Sequence, residues 1–315
     1  MSRVCLVHLV RASNGIQPFE RFLASYRAHP AGHPHDLLMI FKGFAGRDAL
    51  APYSDRLDGM AYRSLHVADR GFDVVPYFRA ARQTEHDYLV SLNSFSEIVC
   101  DGWLAMMVRH ASEPGVGLVG ATGSWSGLPD SFWPRVKRKI RLWPWYERPA
   151  RLALAWWRMH YFGRFPNPHV RTNAFLLRRD LLLRLHRPRM FWKGDAYRFE
   201  SGKGGMTPQV LAMGLRALIV DRGGRAYDPP DWWDSDTFWQ ANQDRLLIAD
   251  NQTRDYQSGS YARRRYLSRT AWGPRAKEIP FFDAPPTGRT YFRRTLLDRL
   301  LDRPRPERPP ACRRL

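Results

Sequence analysis

The sequence predicts an α/β fold in which helices cover both faces of a mainly parallel sheet. Two observations predict it. Short apolar segments, typical of buried strands, alternate along the chain with amphipathic segments of roughly ten residues, typical of helices. The chain is also large enough for such a fold, because 315 residues with 44% hydrophobic composition can bury a substantial core.

The predicted strands are short apolar runs that close at glycine or at polar residues. The second run, for example, closes at Lys42-Gly43, and the fifth closes at Gly120. We place strands over 4–10, 36–41, 64–67, 88–92, 116–119, 171–177 and 216–220.

The predicted helices have apolar residues at helical spacing. Pro18 suits the first turn of its helix, where its missing N–H leaves no bond unmade. Asp101 is the expected N-cap of a later helix. We place helices over 18–27, 47–56, from 71–73 through 82, and over 101–111, 149–161, 180–185, 207–213 and 240–250.

Two regions depart from this alternation and define the predicted domain organisation. Residues 123–168 are rich in Trp, Pro and Arg, and we predict that they form a helical insert within a main domain over 1–275. Residues 276–315 form a basic Pro/Arg-rich extension. Its segment 290–301 has the composition of a basic helix, and 302–315 is expected to be disordered.

The tryptophans of the insert leave two interpretations open. They interleave with Lys and Arg, which is typical of a protein surface that lies at a membrane interface. Alternatively, they pack inward within a folded lid, or stack on sugars. The residues concerned are Trp133, Trp143, Trp145, Trp156 and Trp157.

The net charge of +20 is concentrated in two segments. Residues 133–164 contribute 8 of these charges and residues 261–315 contribute 10. Such a focused basic field favours an anionic partner, which could be a phosphorylated ligand, an anionic membrane surface or a nucleic acid. Nucleic acid is the least favoured of the three, because no RNA- or DNA-binding motif is apparent.

The chain lacks the sequence signals of export or membrane insertion. It contains no run of about 18 apolar residues, and its first ten residues are too short and too polar for a signal peptide. Its cysteines, Cys5, Cys100 and Cys312, are far apart and have no zinc-binding spacing, so we expect reduced and mostly buried thiols. We therefore expect a cytoplasmic protein, with peripheral attachment at the inner membrane face as a variant of that location.

The stretch 86–104 is the strongest functional signal. The predicted strand over 88–92 ends abruptly in Asn93, Ser94 and Ser96, and a helix follows. Because α/β folds bind ligands at the carboxyl ends of their strands, these side chains are expected to line a ligand site. The alternative is a polar strand end that only caps the next helix.

Six motifs together resemble GT-A glycosyltransferases, specifically family 2-like bacterial enzymes associated with surface polysaccharides. They lie at 68–73, 91–96, 120–124, 169–175, 199–207 and 250–253. The resemblance implies a GT-A (Rossmann-like) fold and a nucleotide-sugar-dependent transferase of the hexosyltransferase type. It also implies an inverting mechanism, a nucleotide-sugar donor and a glycan or lipid-linked acceptor.

The resemblance assigns several residues to donor binding. The loop after the first strand, with Val10 and Arg11, would hold the nucleotide. Lys42 stands where an acidic residue often contacts the base or ribose. Asp69 and Asp73 match the segment that contacts base and ribose, although both could simply favour the N-terminus of the next helix.

The resemblance also bears on metal binding. Asn93, Ser94 and Ser96 replace the Asp-x-Asp motif that would hold Mg²⁺ or Mn²⁺, and Ser96 is at most a weak ligand, because hard cations prefer carboxylate oxygens. A departing diphosphate still needs positive charge. We therefore expect a metal-independent or weakly metal-dependent transferase. Arg11, Lys42, Arg171 and Lys203 are the candidates for that charge.

For catalysis, the resemblance points to one carboxylate late in the sheet. Glu200 is the best match for the general base, and Asp195 is the second choice. Arg171 and Asn173 are expected to face the ligand, unless Arg171 is a structural ion-pair partner. Asp250 is expected to cap a helix end, with closure of the acceptor side as the alternative. The alternative function is a non-catalytic descendant of the fold that binds nucleotide or glycan.

Overall fold

The computed structural model describes residues 2–130 and 140–279, and its strands follow most of the predicted pattern. They are β1 (Val4–Arg11), β2 (Asp36–Lys42), β3 (Arg63–Val67), β4 (Tyr88–Leu92), β5 (Glu97–Ile98), β6 (Val116–Gly120), β7 (Gly123–Ser124), β8 (His169–Val170), β9 (Ala174–Arg178), β10 (Arg216–Val220), β11 (Ala226–Tyr227) and β12 (Ile248–Ala249).

The helices also fall close to their predicted positions in the first half of the chain. They are α1 (Gln17–Ala28), α2 (Arg47–Ser54), α3 (Val74–Arg82), α4 (Trp103–Ala111), α5 (Arg148–Tyr161), α6 (Arg179–Arg184), α7 (Lys193–Ser201), α8 (Met206–Ala212), α9 (Asn251–Gln257) and α10 (Tyr261–Trp272).

The central sheet has the strand order β11-β10-β6-β9-β4-β1-β2-β3. Strands β1 to β4, β6 and β10 run in one direction, whereas β9 and β11 run in the opposite direction. In register, Arg11 pairs with Lys42, and Lys42 pairs with Val67. The carboxyl ends of β1, β2 and β3 therefore lie side by side.

Hydrophobic side chains pack on both faces of this sheet. On one face, Phe22 of α1 and Trp103 of α4 join the core against β1, β2 and β4. On the other face, Tyr77 of α3, Phe199 of α7 and Trp272 of α10 do so. The predicted fold class is confirmed: an α/β, Rossmann-like, mainly parallel sheet with helices on both faces.

Two predictions about local structure are wrong. Residues 240–250 are not helical, because Ala241 and Gln243 adopt left-handed backbone angles (φ 43° and 57°) and the segment leads into β12. Asp101 does not cap α4, because Gly102 occupies the N-cap position and the Asp101 carboxylate lies 2.7 Å from His29 Nδ1. The contact made by Asp101 is with a residue 72 positions away, which a local pattern does not predict.

The structure meets several other expectations, and the rest concern residues that it does not describe. Asp250 caps α9 by accepting hydrogen bonds from the backbone N–H groups of Gln252 and Thr253, as expected. Cys5 and Cys100 are free and buried. Trp133 and Cys312 lie outside the described residues, as do the segments 290–301, predicted to be a basic helix, and 302–315, predicted to be disordered. Within the described ranges, no helix combines the length and the apolar character needed to cross a bilayer.

Candidate functional site

Charged side chains meet where β1, β2 and β3 end. The Arg11 guanidinium donates two hydrogen bonds of 2.8 Å to the two carboxylate oxygens of Asp69, and Lys42 Nζ lies 3.4 Å from Asp69 Oδ1. Hydrogen bonding by Arg11 lowers the pKa of Asp69, and Lys42 adds to this effect. Arg11, Lys42, Asp69 and the neighbouring Asp73 are called the charged corner.

The Lys42 ammonium is almost completely buried, and local backbone geometry makes room for it. Burial lowers the pKa of Lys42, while Asp73 and Asp69 oppose this effect. Its Nζ donates a 2.6 Å hydrogen bond to the carbonyl oxygen of Phe72, a residue with left-handed backbone angles (φ 51°). Gly43 lets the 68–73 loop approach, because a Cβ there would lie 2.8 Å from the Asp69 Cβ. Conformations of this kind are often retained at functional sites.

Asp73 is the fourth member of the charged corner and interacts electrostatically with Lys42 and Arg11. Burial raises the pKa of Asp73, against the opposing charges of Lys42, Arg11 and Lys193. The residue nevertheless remains partly accessible, and no described group hydrogen-bonds to its carboxylate. Because a carboxylate surrounded by protein needs a partner, this position is suited to accept hydrogen bonds from a bound ligand.

A second carboxylate, Glu200 at the end of α7, lies close enough to Asp73 for its charge to raise the pKa of Asp73. Glu200 Oε2 accepts a 2.8 Å hydrogen bond from the backbone N–H of Thr172 and a further short one from the Thr172 hydroxyl. These hydrogen bonds occupy only one carboxylate oxygen. The side chain is therefore held in place while Oε1 can act on a neighbouring group.

His169 lies beside Glu200 and is buried. Burial lowers the pKa of His169, and the charge of Glu200 acts in the opposite direction. Its Nδ1 lies 2.8 Å from the carbonyl oxygen of Asn167, so Nδ1 carries the hydrogen and Nε2 is the acceptor in the neutral ring.

The polar residues after β4 are largely committed to the protein itself. Asn93 Oδ1 accepts hydrogen bonds from the Phe95 backbone N–H (2.9 Å) and the Ser96 hydroxyl (3.2 Å). Ser96 is fully buried, and its hydroxyl also donates to the carbonyl oxygen of Asn173 at 2.8 Å. Ser94 is buried next to them.

The oxygen atoms at the end of β4 do not suit Mg²⁺ or Mn²⁺ as ligands. The end of β4 offers one amide oxygen that already accepts two hydrogen bonds, and hydroxyls in place of the carboxylate oxygens that hard cations prefer. Across the described residues, no three His, Cys, Asp or Glu side chains cluster in a way that could hold a metal ion.

Arg171 and Asn173 lie near this region but are engaged internally. The Arg171 guanidinium pairs with Asp250 at 2.7 Å, and both side chains are buried. It also stacks on the Phe238 ring, 4.0 Å from the ring centroid. Asn173 Oδ1 accepts a hydrogen bond from the Thr122 hydroxyl. The ligand-facing roles of Arg171 and Asn173 stay predictions, and the geometry of Arg171 favours its structural alternative.

The remaining candidates have different surroundings. The Val10 side chain belongs to the core, which leaves only its backbone near the strand end. Asp195 accepts hydrogen bonds from the backbone N–H groups of Phe191 (3.0 Å) and Trp192 (3.2 Å) at the start of α7. Lys203 is exposed and donates to the carbonyl oxygen of Met159 at the end of α5. Asp195 therefore has the contacts of a helix cap. Lys203 connects the segment after α7 to the end of α5 in the insert.

Sequence reasoning missed three residues of the site: Thr172, His169 and Lys193. Thr172 and His169 lie inside the motif at 169–175, which could have identified them. Lys193 had no comparable signal, because its relevance depends on the position of α7 next to Asp73.

A separate cavity of about 670 Å³ lies against α10. It is lined by residues such as Phe165, Tyr261, Arg265 and Arg269, and by none of the residues of the charged corner. It is therefore distinct from the candidate site.

Comparisons with known proteins give only distant similarities. No model of a protein family and no curated protein matches this sequence. Mannosyltransferase PcManGT from Pyrobaculum calidifontis, in complex with GDP-Man and Mn²⁺, is 16% identical with a TM-score of 0.41. The match covers 69% of this chain and 54% of that one, so this chain spans about half the length of PcManGT.

Two further solved structures are similar over smaller parts. Mouse xyloside xylosyltransferase 1, in its apo form, is 10% identical with a TM-score of 0.35, over 58% of this chain and 69% of that one. S. aureus TarS is 11% identical with a TM-score of 0.29, over 38% of this chain and 21% of that one.

Proposed function

We propose that this protein is an inverting glycosyltransferase that moves a sugar from a nucleotide-sugar donor to a polysaccharide or lipid-linked glycan of the bacterial surface. One observation carries the proposal. The carboxyl ends of β1 to β3 hold two cations, Arg11 and Lys42, and the partly accessible residue Asp73, to whose carboxylate no described group donates a hydrogen bond. A separately held carboxylate, Glu200, lies nearby.

The charged corner suits a nucleoside diphosphate. Arg11 and Lys42 offer positive charge to the phosphates, and Asp73 can accept hydrogen bonds from sugar hydroxyls of the nucleotide. The charge that builds up on a leaving diphosphate would then be stabilised by fixed cations of the protein, in the manner of other preorganised sites.

Glu200 suits the role of general base. In the proposed step, its free oxygen takes the proton of the acceptor hydroxyl, and the acceptor oxygen forms a bond to the anomeric carbon of the donor sugar. The bond from that carbon to the nucleoside diphosphate breaks at the same time, and the diphosphate leaves with the electron pair. Attack opposite the leaving group inverts the configuration.

Calorimetry with UDP, GDP, dTDP and CDP tests the donor site. We expect one of the four to bind, with a dissociation constant that changes little between Mn²⁺ and EDTA. Lys42→Met should weaken this binding by about tenfold or more, because it removes a buried charge–phosphate contact. The matched control is Lys203→Met, which should leave it unchanged. If none of the four diphosphates binds, the proposal is wrong.

A non-catalytic nucleotide- or glycan-binding protein is the second candidate. The absence of carboxylates at the end of β4 favours it, since Asn93 and Ser96 already bond to the protein itself. Diphosphate binding without any hydrolysis or transfer, across a panel of nucleotide-sugars and glycan acceptors followed by mass spectrometry, would support this candidate over the transferase.

A further inference from the structure

Large apolar side chains are exposed on one part of the molecule. Trp145 is 79% exposed and Trp156 is 62% exposed on the insert, and Phe191 is 82% exposed just before α7. They belong to a group called the aromatic face, which consists of Leu142, Trp145, Tyr146, Leu152, Trp156 and Phe191. Among the described residues, these are six of the ten large hydrophobic side chains that are exposed, so their grouping is not the random scatter usual for surfaces.

Five of the six members of the aromatic face lie on α5 or on the segment just before it. Leu152 and Trp156 are one turn apart on α5 and therefore share a side of the helix. Trp145 and Tyr146 lie in the turn that leads directly into α5. Phe191 is next to Trp192, whose ring centroid lies 4.6 Å from that of Trp157 on α5. Ala155 of the same helix is buried against the protein, whereas Leu152 and Trp156 are exposed.

Guanidinium groups flank the aromatic face. Arg141 and Arg148 are exposed within the insert, Arg164 is exposed shortly after α5, and Arg189 is exposed two residues before Phe191. None of these four forms an ion pair with an acidic residue in the described part of the chain. The nearby Glu147 is already paired with Arg151 at 2.8 Å. In the part of the insert that the structure describes, the surface therefore combines apolar side chains with cations that have no acidic partner.

We propose that the aromatic face binds the surface of a bilayer that contains anionic lipids. Tryptophan and tyrosine favour the boundary between headgroups and acyl chains, and arginine is attracted to anionic headgroups. A single amphipathic helix holds a protein only weakly, so apolar contact and charge are both needed. This inference does not depend on the proposed transferase activity, although a lipid-linked acceptor would be consistent with it.

Vesicle co-sedimentation of the full chain tests this proposal. The probes are vesicles of phosphatidylcholine alone and of phosphatidylcholine with phosphatidylglycerol. We expect binding to the anionic vesicles only, accompanied by a blue shift of tryptophan fluorescence. The double variant Trp145→Ser/Trp156→Ser should bind at least about tenfold more weakly, because two large apolar contacts are lost. Its substitutions are at exposed positions, and circular dichroism checks that it is folded.

The matched control is Leu211→Ser/Met213→Ser, which removes two exposed apolar side chains outside the aromatic face and should bind as well as the unaltered protein. Equal loss in both variants, unaffected binding in the tryptophan variant, or no binding to anionic vesicles would each overturn the proposal. Light scattering adds another readout. If the tryptophan substitutions convert a dimer to a monomer without changing vesicle binding, the face is a self-association surface instead.

Discussion

At the scale of single residues, the position of Thr172 decides what Glu200 can do. A general base must be fixed close to its substrate and must keep one oxygen available. Thr172 holds Glu200 Oε2 through both its backbone N–H and its hydroxyl. The threonine is therefore a positioning residue in the proposed mechanism, whereas Glu200 is the catalytic one.

Substitution of Glu200 and Thr172 tests this division of roles. Glu200→Gln should lower kcat by about 10² to 10⁴ and leave nucleoside diphosphate affinity intact, because an amide cannot take the proton. Thr172→Val should lower kcat by about tenfold, because one charge-assisted hydrogen bond is lost. Steady-state transfer assays and calorimetry measure the two effects.

A conservative variant tests whether Thr172 positions Glu200 or only stabilises the fold. Thr172→Ser retains a hydroxyl and should restore most of the rate. Full activity in Glu200→Gln would exclude Glu200 as the base.

At the scale of secondary-structure elements, one buried ion pair ties the segment between β8 and β9 to the start of α9. Arg171 contributes a guanidinium and Asp250 a carboxylate that also caps α9. Removing one partner of a buried pair leaves the other charge without compensation, which costs far more than the pair contributes.

We therefore expect Arg171→Met to reduce the free energy of unfolding by about 3 kcal/mol. The matched control is Arg178→Met, which removes the exposed pair with Asp180 and should cost less than about 1 kcal/mol. Urea denaturation followed by circular dichroism measures both. Similar small losses in the two variants would mean that water or another group compensates Asp250.

Sequence patterns predict some secondary-structure elements of this protein more reliably than others. The strand over 88–92 is observed at Tyr88–Leu92, because a continuous apolar run in the centre of a sheet is a strong local signal. The helix predicted over 240–250 is absent. There, the Gln243 side chain accepts from the Trp239 backbone N–H and donates to the carbonyl oxygen of Thr253, and these contacts hold a compact non-helical segment.

At the scale of the whole molecule, His8 couples folding to pH. It lies fully buried in β1, stacked on Phe22 with ring centroids 3.5 Å apart, and neither ring nitrogen has a hydrogen-bond partner among the described residues. Burial lowers the pKa of His8 to about 3. The folded protein therefore keeps this ring neutral, whereas the unfolded chain protonates it below about pH 6.5.

The direction in which stability changes with pH follows from proton binding at His8. Between pH 6.5 and pH 3, the unfolded chain binds a proton at His8 that the folded protein does not, so stability falls as the pH falls, by about 1.4 kcal/mol per pH unit. His8→Phe removes this contribution. Compared with the unaltered protein, it should lose less stability between pH 7 and pH 5 in urea denaturation. His186→Asn, at an exposed position, serves as control. If His8→Phe loses as much stability between pH 7 and pH 5 as the unaltered protein does, the assignment of this pH dependence to His8 is wrong.

Local patterns in the amino-acid sequence were enough to predict the fold class, the order of most strands and helices, and a set of candidate residues that includes Arg11, Lys42, Asp73 and Glu200. They were enough because hydrophobic periodicity and short motifs are local properties of the chain. Which of these charges pair with other groups of the protein depends on the folded chain. Arg171 is neutralised by Asp250, 79 positions away, and Lys203 is used to hold the insert. Ion pairing and burial depend on neighbours that are distant in sequence, and no local pattern specifies them.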